Sequence, residues 1–434
     1  MSKQRKLKRQ KTGGVIPPDL ITELPRHVID GIMEHLPLHD AARMSVLSHK
    51  WLDIWRSIPI LTFDAQFFKR VFKNKRNNTT HEFYDIATRI LIYHSGHLLR
   101  FHLEIPVLTS NPDINQWIYH LSKNGVSDIS IQNQNQTSLK LSSHIFSCSN
   151  IEKLKLQSCI IDPFNNFKGF RKMTCLDLDK TTITSNAFKR LIRGCPLLQE
   201  LRLTNCIPIQ NITIVSPNLC HLTVRGTFKS IYVRNVENLV SAVIGFDKRV
   251  DGGVKASLDV LINALANSSN LQKLGFRGHF VKTMYEMFLP PPTFDKLRNL
   301  ELSSIHLNEV EEFCSIISII ENCPVIERLN ISVSTSKIET VHVLDYNHDF
   351  VLKCLRYASV EICRGSNMEL KLIQFLLECS PILKKISITA STTNGCTFTP
   401  ELLLHLVRFR RASQMVDVFP ELAVSGSIRK PSRF

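Results

Sequence analysis

From about residue 150 onward, one apolar pattern of the form L-x-x-L-x-L-x-x-(C/N/T) keeps returning. Its clearest copies are Ile151-Leu154-Leu156-Cys159, Met173-Leu176-Leu178-Thr181, Leu198-Leu201-Leu203-Cys206 and Leu219-Leu222-Val224-Thr227. The second positions, 154, 176, 201 and 222, lie 22, 25 and 21 residues apart. Weaker copies centre on Leu274/Phe276, Leu300/Leu302 and Leu329/Ile331. Apolar residues two apart read as a strand buried on one face. A unit this short cannot bury a face alone, so successive copies must stack.

This is the signature of leucine-rich repeats, and it predicts an α/β solenoid whose parallel sheet lines a concave face with the returning segments outside. The returns have helical spacing in two windows: Phe188, Leu191, Ile192 and Cys195 before Pro196, and Val310, Phe313, Ile317 and Ile320 before Cys323-Pro324. Cys159, Cys195, Cys206 and Cys323 fall at inward positions and read as packing residues. Residues alternating with the inward leucines must point outward: Lys155, Gln157, Asp177, Asp179, Arg202, Thr204, Thr223 and Arg225. They are polar and mixed in sign, which suits an ordinary solvated face or a substrate-binding surface; we read them as the latter.

Ahead of the array, residues 19 to 64 give three short helices. Val28, Ile29, Ile32, Met33 and Leu36 recur at helical spacing between Pro25 and Pro37; Asp40 is placed to cap a helix over residues 41–46; and Ser48 is placed to cap a third, with Trp51, Trp55 and Ile58 on one face before Pro59. About 45 residues with two of the chain's three tryptophans cannot hide all that apolar surface internally. The segment is therefore either a cap on the array or a module that docks a partner.

Leu24-Pro25, Val28-Ile29, Ile32, Leu36-Pro37, Ala42-Arg43, Ser45-Val46-Leu47-Ser48, Trp51, Trp55 and Pro59 resemble the plant-type F-box in order and spacing. Met44 stands where many relatives have threonine. The resemblance implies binding to a Skp-type adaptor and through it a cullin, with Leu24, Pro25, Ile29, Leu36, Pro37, Leu47, Ser48 and Trp51 as adaptor contacts or their immediate supports. Residues 81–131 resemble the repeats that follow the F-box in one plant family, and residues 350–389 resemble its FBD domain. The chain as a whole resembles an F-box/FBD/LRR-repeat protein. The expected divisions are a basic disordered tail at 1–18, the F-box at 19–64, leucine-rich repeats at 81–345 and an FBD-like region at 350–425.

Composition excludes other classes. No apolar run is long enough to cross a bilayer, and Pro17-Pro18 interrupt the place where a signal peptide would be apolar. The 12 cysteines have no zinc-type spacing, so no metal or other cofactor is expected. The net charge of +16 is spread among the N-terminal tail, residues 69–76 and Arg408, Arg410 and Arg411, without interleaved aromatics. A solvated face plus a nuclear-import tail is the reading, not nucleic-acid binding, and the location expected is nucleus and/or cytoplasm. Residues 290–292 are three prolines, read as a stiff exposed loop.

No catalytic constellation is present: the chain lacks a P-loop, a nucleophile elbow and a His-Glu-x-x-His motif, and His35/His39 and His94/His97 read as surface groups. The expectation is thus a non-catalytic substrate receptor of an SCF-type ubiquitin ligase, binding an adaptor and an unidentified protein substrate. The alternative is a leucine-rich scaffold that binds partners without leading to their degradation.

Overall fold

The computed structural model describes residues 23–71, 80–105, 114–163, 167–247, 255–287, 292–336, 350–391 and 399–422. The basic tail and most of the triple-proline segment lie outside these. The chain divides into two compact units, Met1–Phe101 and His102–Phe434.

The first unit contains α1 (Arg26–His35), α2 (Leu38–Met44), α3 (His49–Arg56), β1 (Ile60–Phe63), α4 (Ala65–Val71) and α5 (Thr80–Tyr93). Pro25 and Pro37 each stand at an N-cap, where the missing N–H costs nothing. The second helix therefore starts three residues earlier than expected, and Asp40 lies in its first turn instead of capping it. Asp40 instead accepts from Arg70 of α4 at 2.8 Å. Ser48 caps α3 as the sequence indicated, its Oγ accepting from the Trp51 N–H at 3.3 Å. Ile29, Met33, Leu38, Ala41, Trp51 and Ile54 form the helical core. Phe63, Phe67, Phe68 and Phe83 pack edge to face or tilted beside it.

Strand β2 (Arg100–Ile105) runs across the division. The second unit continues with α6 (Ile114–Lys123), β3 (Asp128–Asn133), β4 (Leu139–Lys140), a 3-10 turn at Ser143–Ser147, β5 (Lys153–Gln157), β6 (Cys159–Ile160), β7 (Cys175–Asp179), α7 (Ser185–Arg193), β8 (Glu200–Thr204), β9 (Asn211–Val215), β10 (His221–Gly226), β11 (Ser230–Arg234) and β12 (Ser241–Phe246). Then come α8 (Lys255–Ala266), β13 (Lys273–Gly278), α9 (Phe280–Met287), β14 (Asn299–Leu307), α10 (Val310–Glu321), β15 (Arg328–Ser336), β16 (Tyr357–Ile362), α11 (Asn367–Glu378), β17 (Lys385–Ala390), α12 (Pro400–Arg408) and β18 (Asp417–Leu422).

The sheet order is β3-β5-β7-β8-β10-β12-β13-β14-β15-β16-β17-β18, and these neighbours pair in parallel. The leucines of the repeat motif fall on one buried face: Leu154, Leu176, Leu201 and Leu222 are in register, as are Leu156, Leu178, Leu203 and Val224. The polar fourth position has a physical role. Thr181 Oγ1 donates to the Leu156 carbonyl at 3.1 Å, and the Cys206 thiol to that of Leu178 at 3.4 Å, each tying one repeat to the one before. Thr227 does not share this role. It is exposed, and the chain there turns through Gly226 at φ 135°.

The returns are less uniform than the motif. α7, α8, α9, α10, α11 and α12 are helical, but β9 and β11 pair with each other as an extended return, Ile212 beside Ile231 and Ile214 beside Val233. β12 is a strand that the leucine pattern did not single out, because Ala242 stands where its neighbours have Leu222 and Leu274. Among the described residues β18 is last in the sheet. It carries Pro420 in register with Ile388, and the Asp417 N–H points inward to Lys384.

Candidate functional surfaces

In the first unit the eight F-box positions separate into two groups. Ile29 and Trp51 are 1% and 2% exposed and lie in the core of the module, the place of a support. Leu24, Leu36 and Pro37 are half-buried, whereas Pro25, Leu47 and Ser48 are exposed. The most accessible apolar residues lie in the turn between α2 and α3: Val46 at 85% and Leu47 at 66%. Val28 and Ile32 add a partly exposed ridge on α1. Val46, Val28 and Ile32 were visible in the motif, but the sequence could not say which apolar residues face out. Arg26 fastens this end of the module, donating to Asp30 and to Ser57 Oγ, both at 2.8 Å.

In the second unit all eight outward positions fall on the open face of the sheet, in two rungs. Lys155, Asp177, Arg202 and Thr223 are register partners across β5, β7, β8 and β10; Gln157, Asp179, Thr204 and Arg225 form the next rung. Lys155 is exposed and the other seven half-buried. Burial pushes Asp177 above the usual carboxylate range despite Arg202 and Lys155 nearby, and pushes Asp179 up against Lys180 and Arg225. Glu200 behaves oppositely: burial would raise it, but the Arg202 hydrogen bond at 2.6 Å and the guanidinium charge hold it low. The face is thus a mosaic of partly desolvated charges.

The same face continues past the residues the motif highlighted. Arg328 lies over the Tyr357 ring at 4.9 Å, and Lys385 over Phe419 at 4.4 Å. An aromatic at an outward strand position was the available signal. Among the described residues no cluster of His, Cys, Asp or Glu could hold a metal ion, and no helix is long and apolar enough to cross a membrane.

Comparison with known proteins accords with this geometry. Residues 21–63 match the F-box domain, and residues 114–256 match the family described as "FBD-associated F-box protein At5g56370, LRR repeats". The class is therefore an F-box protein carrying leucine-rich repeats, which implies a Skp-type adaptor as partner and a substrate-adaptor or protein-interaction scaffold role. Within that class the chain is similar to the F-box/FBD/LRR-repeat proteins of plants. It is 28% identical to F-box/FBD/LRR-repeat protein At1g13570 of Arabidopsis thaliana, over 91% of this chain and 97% of that protein. It is 25% identical to FBD-associated F-box protein At1g66310 of the same plant, over 89% and 93% respectively. A chain of the yeast Rad7 and Elc1 complex aligns with TM-score 0.33 and 14% identity, covering 72% of this chain and 69% of that one, too loose a likeness to add to the fold.

Proposed function

We propose that the chain is the substrate-recognition subunit of an SCF-type ubiquitin ligase. Residues 19–64 dock a Skp-type adaptor that sits on a cullin, and the open face of the sheet captures the protein to be modified. In this reading residues 1–18 are a basic tail, 81–345 the repeat array and 350–425 an FBD-like continuation, and the chain works in the nucleus and/or cytoplasm. The observation that carries it is the pair Val46-Leu47, left exposed in a helical module whose core is otherwise closed. No chemistry is asked of the chain itself. Holding a substrate beside a charged conjugating enzyme raises the local concentration of its lysines to about the millimolar range.

The test is reconstitution of the purified chain with a Skp-type adaptor, a cullin–RING core, a conjugating enzyme and ubiquitin. The chain should enter the assembly in a one-to-one ratio, and ubiquitin should be transferred to it or to a bound protein. A chain that binds the adaptor but never supports transfer is a non-degradative scaffold. A fluorescent fusion whose distribution is unchanged without residues 1–11 would count against nuclear import by the tail.

A further inference from the structure

On the open face of the sheet, β10, β12 and β13 place Arg225, Gly245 and Arg277 side by side in one rung. The glycine is required for space, not for backbone freedom. A β-carbon on Gly245 would lie 2.7 Å from Arg277 Cβ and 3.6 Å from Arg225 Cγ. The two arginine stems therefore lean toward each other over the glycine, closer than the roughly 10 Å that two strand spacings would give. The rung alongside is uncharged: Thr223, Val243 and Gly275. The two arginines thus share one rung with no third side chain between them.

Two cations this close ordinarily share acids, and these do not. Neither arginine takes part in an ion pair among the described residues. Asp179, Asp247 and Glu301 are the acids whose charges reach them. Glu301 is engaged by Lys273 at 3.5 Å, and Lys180 acts more strongly on Asp179 than Arg225 does. Burial, followed by the charge of Arg225, draws Arg277 below its ordinary value. The donors are also unfilled: Arg225 Nε is buried and lacks a hydrogen-bond partner, as does Ser303 Oγ, the register partner of Arg277 on β14. Arg277 spends one donor on Ser304 Oγ at 3.0 Å. Buried donors are nearly always satisfied, and these two have no protein partner.

We propose that Arg225, Arg277 and Ser303, the two arginines brought together over Gly245, form an oxyanion-binding subsite on this face, suited to a phosphate or carboxylate group. Two guanidinium forks supply paired N–H donors of the geometry such anions accept. Resting on the reading of this face as the substrate surface, the subsite names the chemistry of what is captured: an acidic or phosphorylated side chain, or a free small anion that completes the surface.

The experiment is calorimetric titration of the full-length chain with inorganic phosphate and, separately, with a capped Gly-phosphoserine-Gly peptide and its unphosphorylated form. The expected result is one site, weakened at least tenfold by Arg225→Gln or Arg277→Gln, weakened also by Gly245→Val, which forces the two arginine stems apart, and unaffected by Lys384→Gln, an exposed lysine elsewhere. Binding of the phosphopeptide assigns the anion to a captured protein, and binding of phosphate alone assigns it to a free ligand. No saturable binding, or binding indifferent to the arginine substitutions, overturns the subsite. Adaptor affinity measured on the same variants should not change, so failure of the subsite and failure of the ligase reading are separately visible.

Discussion

Truncating Val46 and Leu47 together, as Val46→Ala/Leu47→Ala, should weaken adaptor binding without unfolding the chain. Burying a whole valine or leucine side chain is worth about 1.5–3 kcal/mol. Val46 and Leu47 have 85% and 66% of their surface accessible. Alanine retains the β-carbon, so covering these positions after truncation forfeits roughly 1–1.5 kcal/mol each, or about 2–3 kcal/mol together. That corresponds to about 30- to 150-fold in Kd. Trp51→Ala acts by another route, because Trp51 is buried and its removal leaves a cavity costing about 3–5 kcal/mol of stability. Calorimetry or interferometry with a purified Skp-type adaptor gives the affinities, and thermal melts give the stabilities. The double variant should melt like the parent and bind poorly, while the tryptophan variant should melt early. A double variant that stays folded and binds within twofold of the parent would refute the assignment of this turn to the interface.

Further expectations concern the folded state. Glu369 is fully buried, and its carboxylate accepts from the Cys363, Arg364 and Ser366 N–H groups at 2.5, 3.3 and 2.7 Å; Glu369→Ala orphans all three and should cost on the order of 3–5 kcal/mol in urea unfolding. Glu312→Ala, which orphans only the Asn308 and Glu309 N–H groups, should cost less, and equal losses would contradict this count of donors. His94 is held below its ordinary 6.5 by burial, and His306 by burial and then by His279 against Glu312. The unfolded chain protonates these rings first, so their stability contribution is full above pH 6.5 and lost as pH falls; His94→Gln and His306→Gln should narrow the melting difference between pH 7 and pH 5. Burial pushes Cys159, Cys195, Cys206 and Cys323 up to about 12. Iodoacetamide at pH 8 should leave these four unmodified in the native chain while labelling the half-exposed Cys220 and Cys354, as read by peptide mass spectrometry.

Much of the array was legible because a strand with one buried face leaves a period of two, and Leu154/Leu156, Leu176/Leu178 and Leu201/Leu203 show it directly. Ser48 was legible because an N-cap is a local hydrogen bond. Asp40 misled for the same reason: it is a good cap, but Pro37 three residues earlier already supplies an unstrained start. β12 was hidden because its apolar signal is diluted by Ala242, where a leucine would stand. The outward positions could be named one strand at a time, yet their neighbours across strands depend on register. Arg225, Gly245 and Arg277 are far apart in sequence, and nothing local to any of them announces the other two. The F-box positions were recognised as a set, but burial alone separates Trp51 and Ile29 from Leu47.

A stacked array of parallel strands has one hazard built into it, since the last strand presents the same hydrogen-bonding ladder that recruited every strand before it. In parallel pairing successive residues address opposite neighbours, and the inward Asp417 N–H sets that alternation for β18. Val418, Pro420 and Leu422 then address the free side, and the middle one of the three has no N–H to offer. Among the described residues the ladder thus ends on a strand poorly suited to template another chain, a safeguard against edge-to-edge aggregation written into one proline.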